Sequence, residues 1–201
     1  MRSRSGLTLI EIVVTLVVAS LAMASGYAAL SMLADRRSET LQTLNRVVAA
    51  AELRQVLERW VGGAELTIEG DHVEFRGLDG HYRGLADDVL VLRTNALTTA
   101  TEPGSTVRLF IDRNDSTPAR GLTVEVWRPR ELTARYLELD PQVVSLDIRY
   151  LSGHLGVREW STSWVSSTVL PLAAEVKLSS AVADSLAELL RVPILIPIHT
   201  R

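Results

Sequence analysis

The sequence predicts an α+β fold, with one long N-terminal helix packed on antiparallel β-sheet. Three observations carry this reading. An uncharged, mostly apolar run extends from Ile12 to Leu33, and apolar residues then recur at three- and four-residue steps as far as Trp60. After Gly63 the apolar period changes to two. The length of 201 residues fits one domain with an anchor, and 47 % hydrophobic residues suffice for a core.

The helix comes first. The run from Ile12 to Leu33 is 22 residues long, against the roughly 20 that a membrane-spanning helix needs. Beyond it, Leu41, Leu44, Val48 and Ala51, then Leu53, Val56, Leu57 and Trp60, form an apolar stripe. Glu39, Arg46, Glu52, Arg54 and Glu58 fill much of the rest. Gly62-Gly63 reads as the stop, because glycine is favoured just past a helix C-terminus. From Leu7 to Val61 such a helix would measure about 80 Å. Its second half should lay the stripe on the domain that follows. No proline occurs before Pro103, which leaves Gly26 as the weak point of the apolar segment.

Candidate strands follow at Leu66–Glu69, His72–Arg76, Val89–Thr94, Val107–Asp112, Leu122–Arg128, Val143–Leu151 and Ala173–Leu178. Gly70-Asp71 is a tight-turn signal between the first two, and Asp112–Gly121 (DRNDSTPARG) reads as the loop of a second hairpin. Ala181–Leu190 has the pattern of a short helix. Val192–Ile198 is apolar but contains Pro193 and Pro197 and is too short to cross a bilayer. It reads as an edge segment covering the domain, with a docking surface for a partner as the alternative.

Charge and composition remove several function classes. Formal net charge is −3, and no basic stripe of the kind that binds nucleic acid is present. Cysteine is absent, which excludes disulfides, thiolate catalysis and zinc–thiolate or iron–sulfur sites. The four histidines, His72, His81, His154 and His199, lack metal-ligand spacing, and His81 and His154 lie beside glycines as solvated turn residues do. No nucleophile elbow, P-loop or dinucleotide glycine pattern occurs. Asp112, Asn114, Asp115 and Ser116 have the alternating oxygens of a calcium loop's start. However, Thr117 stands where the loop glycine belongs and Thr123 where the closing glutamate belongs, so a polar hairpin turn is the better reading. Asp87 and Asp88 would face opposite ways in an extended chain and read as polar residues at the start of a strand. The expectation is that the chain is not an enzyme and carries no cofactor or metal.

One residue in the opening stretch, MRSRSGLTLIEIVVTLVVAS, does not fit a plain apolar helix. Glu11 lies inside the apolar run, where a charge costs roughly 2.5–3.5 kcal/mol on insertion scales. Arg2, Arg4 and Ala22-Met23-Ala24 fit a cleaved secretory signal peptide, but Glu11 and the apolar residues that continue past Ala24 do not. A plain signal anchor leaves Glu11 unexplained. Basic residues on both sides of the run leave its orientation open by charge alone.

The stretch Gly6-Leu7-Thr8-Leu9-Ile10-Glu11 resembles the prepilin signature of type IV pilins and type II secretion pseudopilins. The resemblance implies a leader at 1–6, cleavage between Gly6 and Leu7 by a prepilin peptidase, and N-methylation of Leu7. Family members most often have Phe at that position. The resemblance also implies that Glu11 stays in the membrane and meets the terminal amine of a neighbouring subunit on assembly, so that its cost is relieved there. The implied organisation is a leader at 1–6, a transmembrane and assembly helix at 7–34, and a periplasmic domain at 35–201. That domain is helical to about residue 61 and β-rich afterwards.

A second stretch narrows the resemblance. Leu146–Leu178 (LDIRYLSGHLGVREWSTSWVSSTVLPLAAEVKL) is similar to minor pseudopilin J of type II secretion. In that family an apolar strand leads to a tryptophan pair, a Leu-Pro and a further strand. Here these are Trp160 and Trp164, Leu170 and Pro171, and Ala173–Leu178. Pseudopilin K typically lacks the membrane glutamate and carries a large insertion. A minor pilin of a type IV pilus remains an alternative, and a soluble periplasmic protein released by signal peptidase is another. The resemblance implies an inner-membrane protein with a periplasmic C-terminal domain. Its implied partners are pseudopilins I, K and H, the major pseudopilin, the prepilin peptidase and inner-membrane lipid, with no nucleic acid.

Overall fold

The computed structural model describes residues 9–66, 75–114, 116–117, 119–153, 158–166, 168–181 and 192–199. The chain divides into two units, Met1–Arg46 and Val47–Arg201. One helix, α1 (Leu9–Gly62), belongs to both. In the first unit every described residue is helical. A proline-free sequence rich in Ala, Leu and Val permits this, and Gly26 adds a cost of only about 1 kcal/mol relative to Ala.

In the second unit α1 stops one residue past the expected Val61. The amide of Gly63 donates to Arg59 O (3.0 Å). The carbonyls left over at a helix end need donors, and here the domain supplies them. Thr94 Oγ1 donates to Trp60 O (2.9 Å), Asn95 N to Gly63 O (2.9 Å) and His199 N to Gly62 O (3.4 Å). A Cβ on Gly63 would sit 2.8 Å from Arg59 O and 3.2 Å from Thr94 Oγ1. Glycine is what lets the chain turn so tightly from helix into sheet.

The strands are β1 (Ala64–Glu65), β2 (Phe75–Leu78), β3 (His81–Tyr82), β4 (Leu85–Ala86), β5 (Val89–Thr94), β6 (Ser105–Asp112) and β7 (Gly121–Trp127). They continue as β8 (Arg135–Asp140), β9 (Val143–Ser152), β10 (Glu159–Ser161), β11 (Trp164–Ser166), β12 (Ala173–Ser180) and β13 (Ile194–Pro197). The larger sheet has the order β11-β2-β5-β6-β7-β8, with β1 also paired to β5. The smaller sheet has the order β10-β9-β12-β13, and β3 and β4 form a separate hairpin.

Alternation along the strands builds the core. On β6, Ser105, Val107, Leu109 and Ile111 are buried while Thr106, Arg108 and Phe110 are half-buried. Leu53, Leu57, Trp60 and Val61 of α1 join the inward residues of both sheets in one apolar cluster. Burial of each large apolar side chain is worth about 1.5–3 kcal/mol. Trp60 keeps its one polar atom satisfied, because Nε1 donates to Thr101 Oγ1 at 3.2 Å.

The two sheets are joined at a polar seam. Asp88 is buried at 3 % exposure. Its Oδ1 accepts from Gly80 N (3.0 Å) beside β2, and its Oδ2 from Ile148 N (2.7 Å) on β9. Asp88 N donates to Leu146 O (3.0 Å), and Ser145 Oγ to Ala86 O (3.0 Å). Arg113 bridges the same seam, donating from Nη2 to Asp87 Oδ1 (3.1 Å) and Val144 O (2.8 Å). Its guanidinium lies 4.5 Å from the Tyr82 ring centroid.

Several expectations are corrected here. The expected helix on antiparallel β-sheet is present, with the strands divided into two sheets and a small hairpin because β10, β9, β12 and β13 pair among themselves. Of the expected strand Leu66–Glu69, Leu66 lies outside any strand and residues 67–69 lie outside the described residues; Ala64–Glu65, just before it, pairs with β5. The Gly63 turn sets that register. The expected His72–Arg76 strand appears as β2, two residues further on at its C-terminal end, and the rest of it and the Gly70-Asp71 turn lie outside the described residues. Within the second unit, Leu53, Leu57 and Trp60 of the apolar stripe are buried and Val56 is half-buried, whereas Val48 is about half exposed. The spacing makes an apolar face, but burial needs a neighbour.

The β8 strand was missed because its charges mask a half-exposed edge strand. The expected helix lies outside the described residues beyond Ala181. The Val192–Ile198 segment does supply the edge strand β13. Ile198 N donates to Leu172 O (3.0 Å), so the alternation turns the backbone of Leu195 and Pro197 away from β12. Proline at such a position has no amide to offer a passing strand, which blunts the edge.

Candidate functional site

The functional residues expected from the sequence fall in two places, the N-terminal helix and the stretch between β9 and β12. On the helix, Leu9, Ile10, Ile12, Val13, Val14, Leu16, Val17, Val18 and Leu21 are all at least half exposed, as are Met23, Tyr27, Leu30, Met32 and Leu33. An exposed apolar surface this continuous marks a membrane or assembly face rather than a soluble surface. Among the described residues α1 is the one helix long and apolar enough to cross a membrane.

The described serine and threonine hydroxyls within it cost little in hydrocarbon, because each bonds its own helix. Thr15 Oγ1 donates to Glu11 O (2.7 Å), Ser20 Oγ to Val17 O (2.8 Å), Ser25 Oγ to Leu21 O (2.9 Å) and Ser31 Oγ to Ala28 O (3.0 Å). That leaves Glu11 as the single charged side chain between Leu9 and Leu33. It lies in the first turn of α1, where the helix dipole favours negative charge. Gly6 and Leu7, the expected processing residues, lie outside the described residues.

The second stretch is a crossing between the sheets. Trp160 lies on β10 of the smaller sheet, opposite Leu151, with the Arg149 guanidinium 5.7 Å from its ring centroid. Trp164 lies on β11 of the larger sheet, opposite Gly77, and is packed against the core. Its Nε1 donates to Val169 O (3.2 Å). Thr162 and Ser163 carry the chain from one sheet to the other. Leu170 and Pro171 are buried and carry it back into β12.

Asp88, expected as a polar residue at the start of a strand, does precede β5 but is buried, whereas Tyr150 and Glu175 were not among the expected residues. Burial raises the Asp88 carboxyl above its ordinary value, against two backbone donors that act to lower it. Burial also pushes the Tyr150 hydroxyl well above its ordinary value. That hydroxyl has no hydrogen-bond partner among the described residues. The hydrogen bond from Arg149 holds Glu175 below its ordinary value, and Lys177 Nζ lies 3.1 Å from the same carboxylate oxygen. The sequence does not signal the Asp88–Ile148 or Arg149–Glu175 contacts, since the partners come from different strands and the pairing needs the register; only Lys177 is a near neighbour of Glu175, two residues on along β12.

Elsewhere the polar candidates are local. Asp112 Oδ1 accepts from Asn114 N (2.8 Å) and Oδ2 from Thr117 Oγ1 (2.8 Å), so the loop between β6 and β7 is braced by its own carboxylate. Asp115 lies outside the described residues, as do His72 and His154. His81 is exposed on β3, 3.4 Å from Asp79. Among the described residues no group of three or more His, Asp or Glu is placed to hold a metal ion.

Residues 1–27 match the family model of the prokaryotic N-terminal methylation motif. This motif is a type IV pilin-like prepilin signal, and it indicates a type IV pilin-like or pseudopilin protein. Together with the apolar helix it fits a membrane-anchored protein, and the helix with its antiparallel sheets is a pilin-like α+β arrangement. No curated protein matches the chain in sequence.

Proposed function

We propose that this chain is a minor pseudopilin of a type II secretion system, most similar to pseudopilin J. It acts by assembly rather than catalysis, within the tip complex that primes the pseudopilus. The observation that carries the reading is the methylation motif at residues 1–27, leading into an apolar helix that bears Glu11. The J-like detail is supported by Trp160, Trp164 and Leu170-Pro171, which mark the crossings between the sheets.

Prepilin peptidase cuts after Gly6 and Leu7 is methylated. The helix holds the protein in the inner membrane with the β-rich domain in the periplasm. A new amine four residues before Glu11 places opposite charges where neighbouring helices stack, and in a low-dielectric medium such pairing favours one register of subunits over others. Partners are pseudopilins I, K and H and the major pseudopilin.

The experiment is intact-mass and N-terminal peptide spectrometry on protein from its native membrane, with identification of co-purified partners. A methylated Leu7 terminus with pseudopilin partners supports the whole reading. Type IV pilus partners would keep the processing and overturn the secretion role. A terminus at Ser25 would mean an ordinary signal peptide and would end the assembly mechanism.

A further inference from the structure

We propose that Asn114 is an acceptor for N-linked glycosylation. Asn114, a residue other than proline, then Ser116 form the one Asn-x-Ser/Thr sequence in the chain. It lies in the loop joining β6 to β7, and both Asn114 and Ser116 are exposed. An acceptor must reach a transferase's active site, and an exposed hairpin loop can do so without unfolding a strand.

The local geometry suits the chemistry. An amide nitrogen is a poor nucleophile because its lone pair is delocalised onto oxygen. Here Asn114 Oδ1 accepts from Ser116 N (3.0 Å) and from Ser116 Oγ (2.6 Å). Two donors on that oxygen stabilise the negative charge that gathers there as Nδ2 gives up a proton. Among the described residues no hydrogen bond engages Nδ2. Asp112 Oδ1 on Asn114 N and Thr117 N on Asn114 O (3.2 Å) hold the backbone of the turn around it.

The donor is a sugar carried on a polyisoprenyl pyrophosphate. Asn114 Nδ2 attacks C1 of the sugar, and the C1–O bond to pyrophosphate breaks. The lipid pyrophosphate leaves with the electron pair, and the Nδ2 proton passes to a base on the transferase. This inference rests on the exported placement of the β-rich domain proposed above, since lipid-linked donors are used on that side of the membrane.

The full chain is co-expressed in a bacterium with a single-subunit oligosaccharyl transferase, its lipid-linked donor and a control acceptor. Protease accessibility in spheroplasts is measured in parallel. The expected result is the donor glycan's mass on the peptide holding Asn114, lost in Asn114→Gln and Ser116→Ala and kept in Ser116→Thr. A protease-accessible, unmodified chain beside a modified control overturns the proposal and leaves the exported placement standing. If the domain is protected from protease, the placement fails. Incubation of the detergent-purified chain with the same transferase and donor then decides the acceptor: modification at Asn114 supports it, and none overturns it.

Discussion

Replacing Asp88 tests the seam between the two sheets. Asp88→Ala removes both acceptors, leaving the amide of Ile148, a fully buried residue, and that of half-buried Gly80 without partners. An unsatisfied buried donor costs about 1–3 kcal/mol, so the loss should be on the order of 2–4 kcal/mol, reduced somewhat because a buried charge is also removed. Asp88→Asn keeps one acceptor oxygen and should cost about 1–2 kcal/mol.

The pH dependence separates this cause from simple packing. Burial raises the Asp88 pKa above its ordinary 3.8, so the folded state holds that proton more tightly than the unfolded chain does. Stability from this group is fully present below 3.8 and is lost as pH rises through the raised value. Asn has no such proton, so its cost relative to Asp should shrink as pH climbs through that window. The assay is equilibrium urea unfolding of the full chain in detergent, followed by the fluorescence of its four tryptophans, of which Trp60 is buried. An Ala variant within about 0.5 kcal/mol of wild type, or an Asn-to-Asp difference constant from below 3.8 to neutral pH, would refute the reasoning.

Other outcomes follow from the same contacts. Gly77→Ala places a Cβ 2.0 Å from Tyr150 Oη and 2.1 Å from its Cζ, so it should destabilise by about 1–3 kcal/mol or more through overpacking. Unchanged urea midpoints would show that the ring moves aside freely. The Arg149 hydrogen bond lowers Glu175 from 4.5, so its stabilisation is present above 4.5 and lost as pH falls through the lowered value. Glu175→Gln should therefore flatten the acid limb of the Tm–pH curve, and an unchanged slope there would count against the pair. Glu11→Ala should still insert and be processed but assemble poorly, which co-purification of partner subunits reads directly. Normal incorporation would remove the proposed role of the carboxylate.

Legibility was uneven along the chain, for reasons of sequence distance. The end of α1 was readable within one residue because Gly62-Gly63 acts locally. β5, β6, β7, β9 and β12 were readable because their apolar residues alternate and the buried face dominates. β8, β10 and β11 were not. They are edge strands of three to six residues, where exposure lets polar residues in and erases the pattern. The prepilin-type motif was readable because processing acts on a linear stretch.

Near neighbours in the chain are enough to specify the long helix, its stop, the charged residue within its apolar run and the alternating strands. The folded arrangement alone groups the strands into sheets, and it puts Trp160 in one sheet and Trp164 in the other. It also set Asp88 against the amide of Ile148, 60 residues away, and placed Tyr150 over Gly77. These depend on register and crossing, where residues far apart in the chain compete for the same buried space, and no local period records who wins.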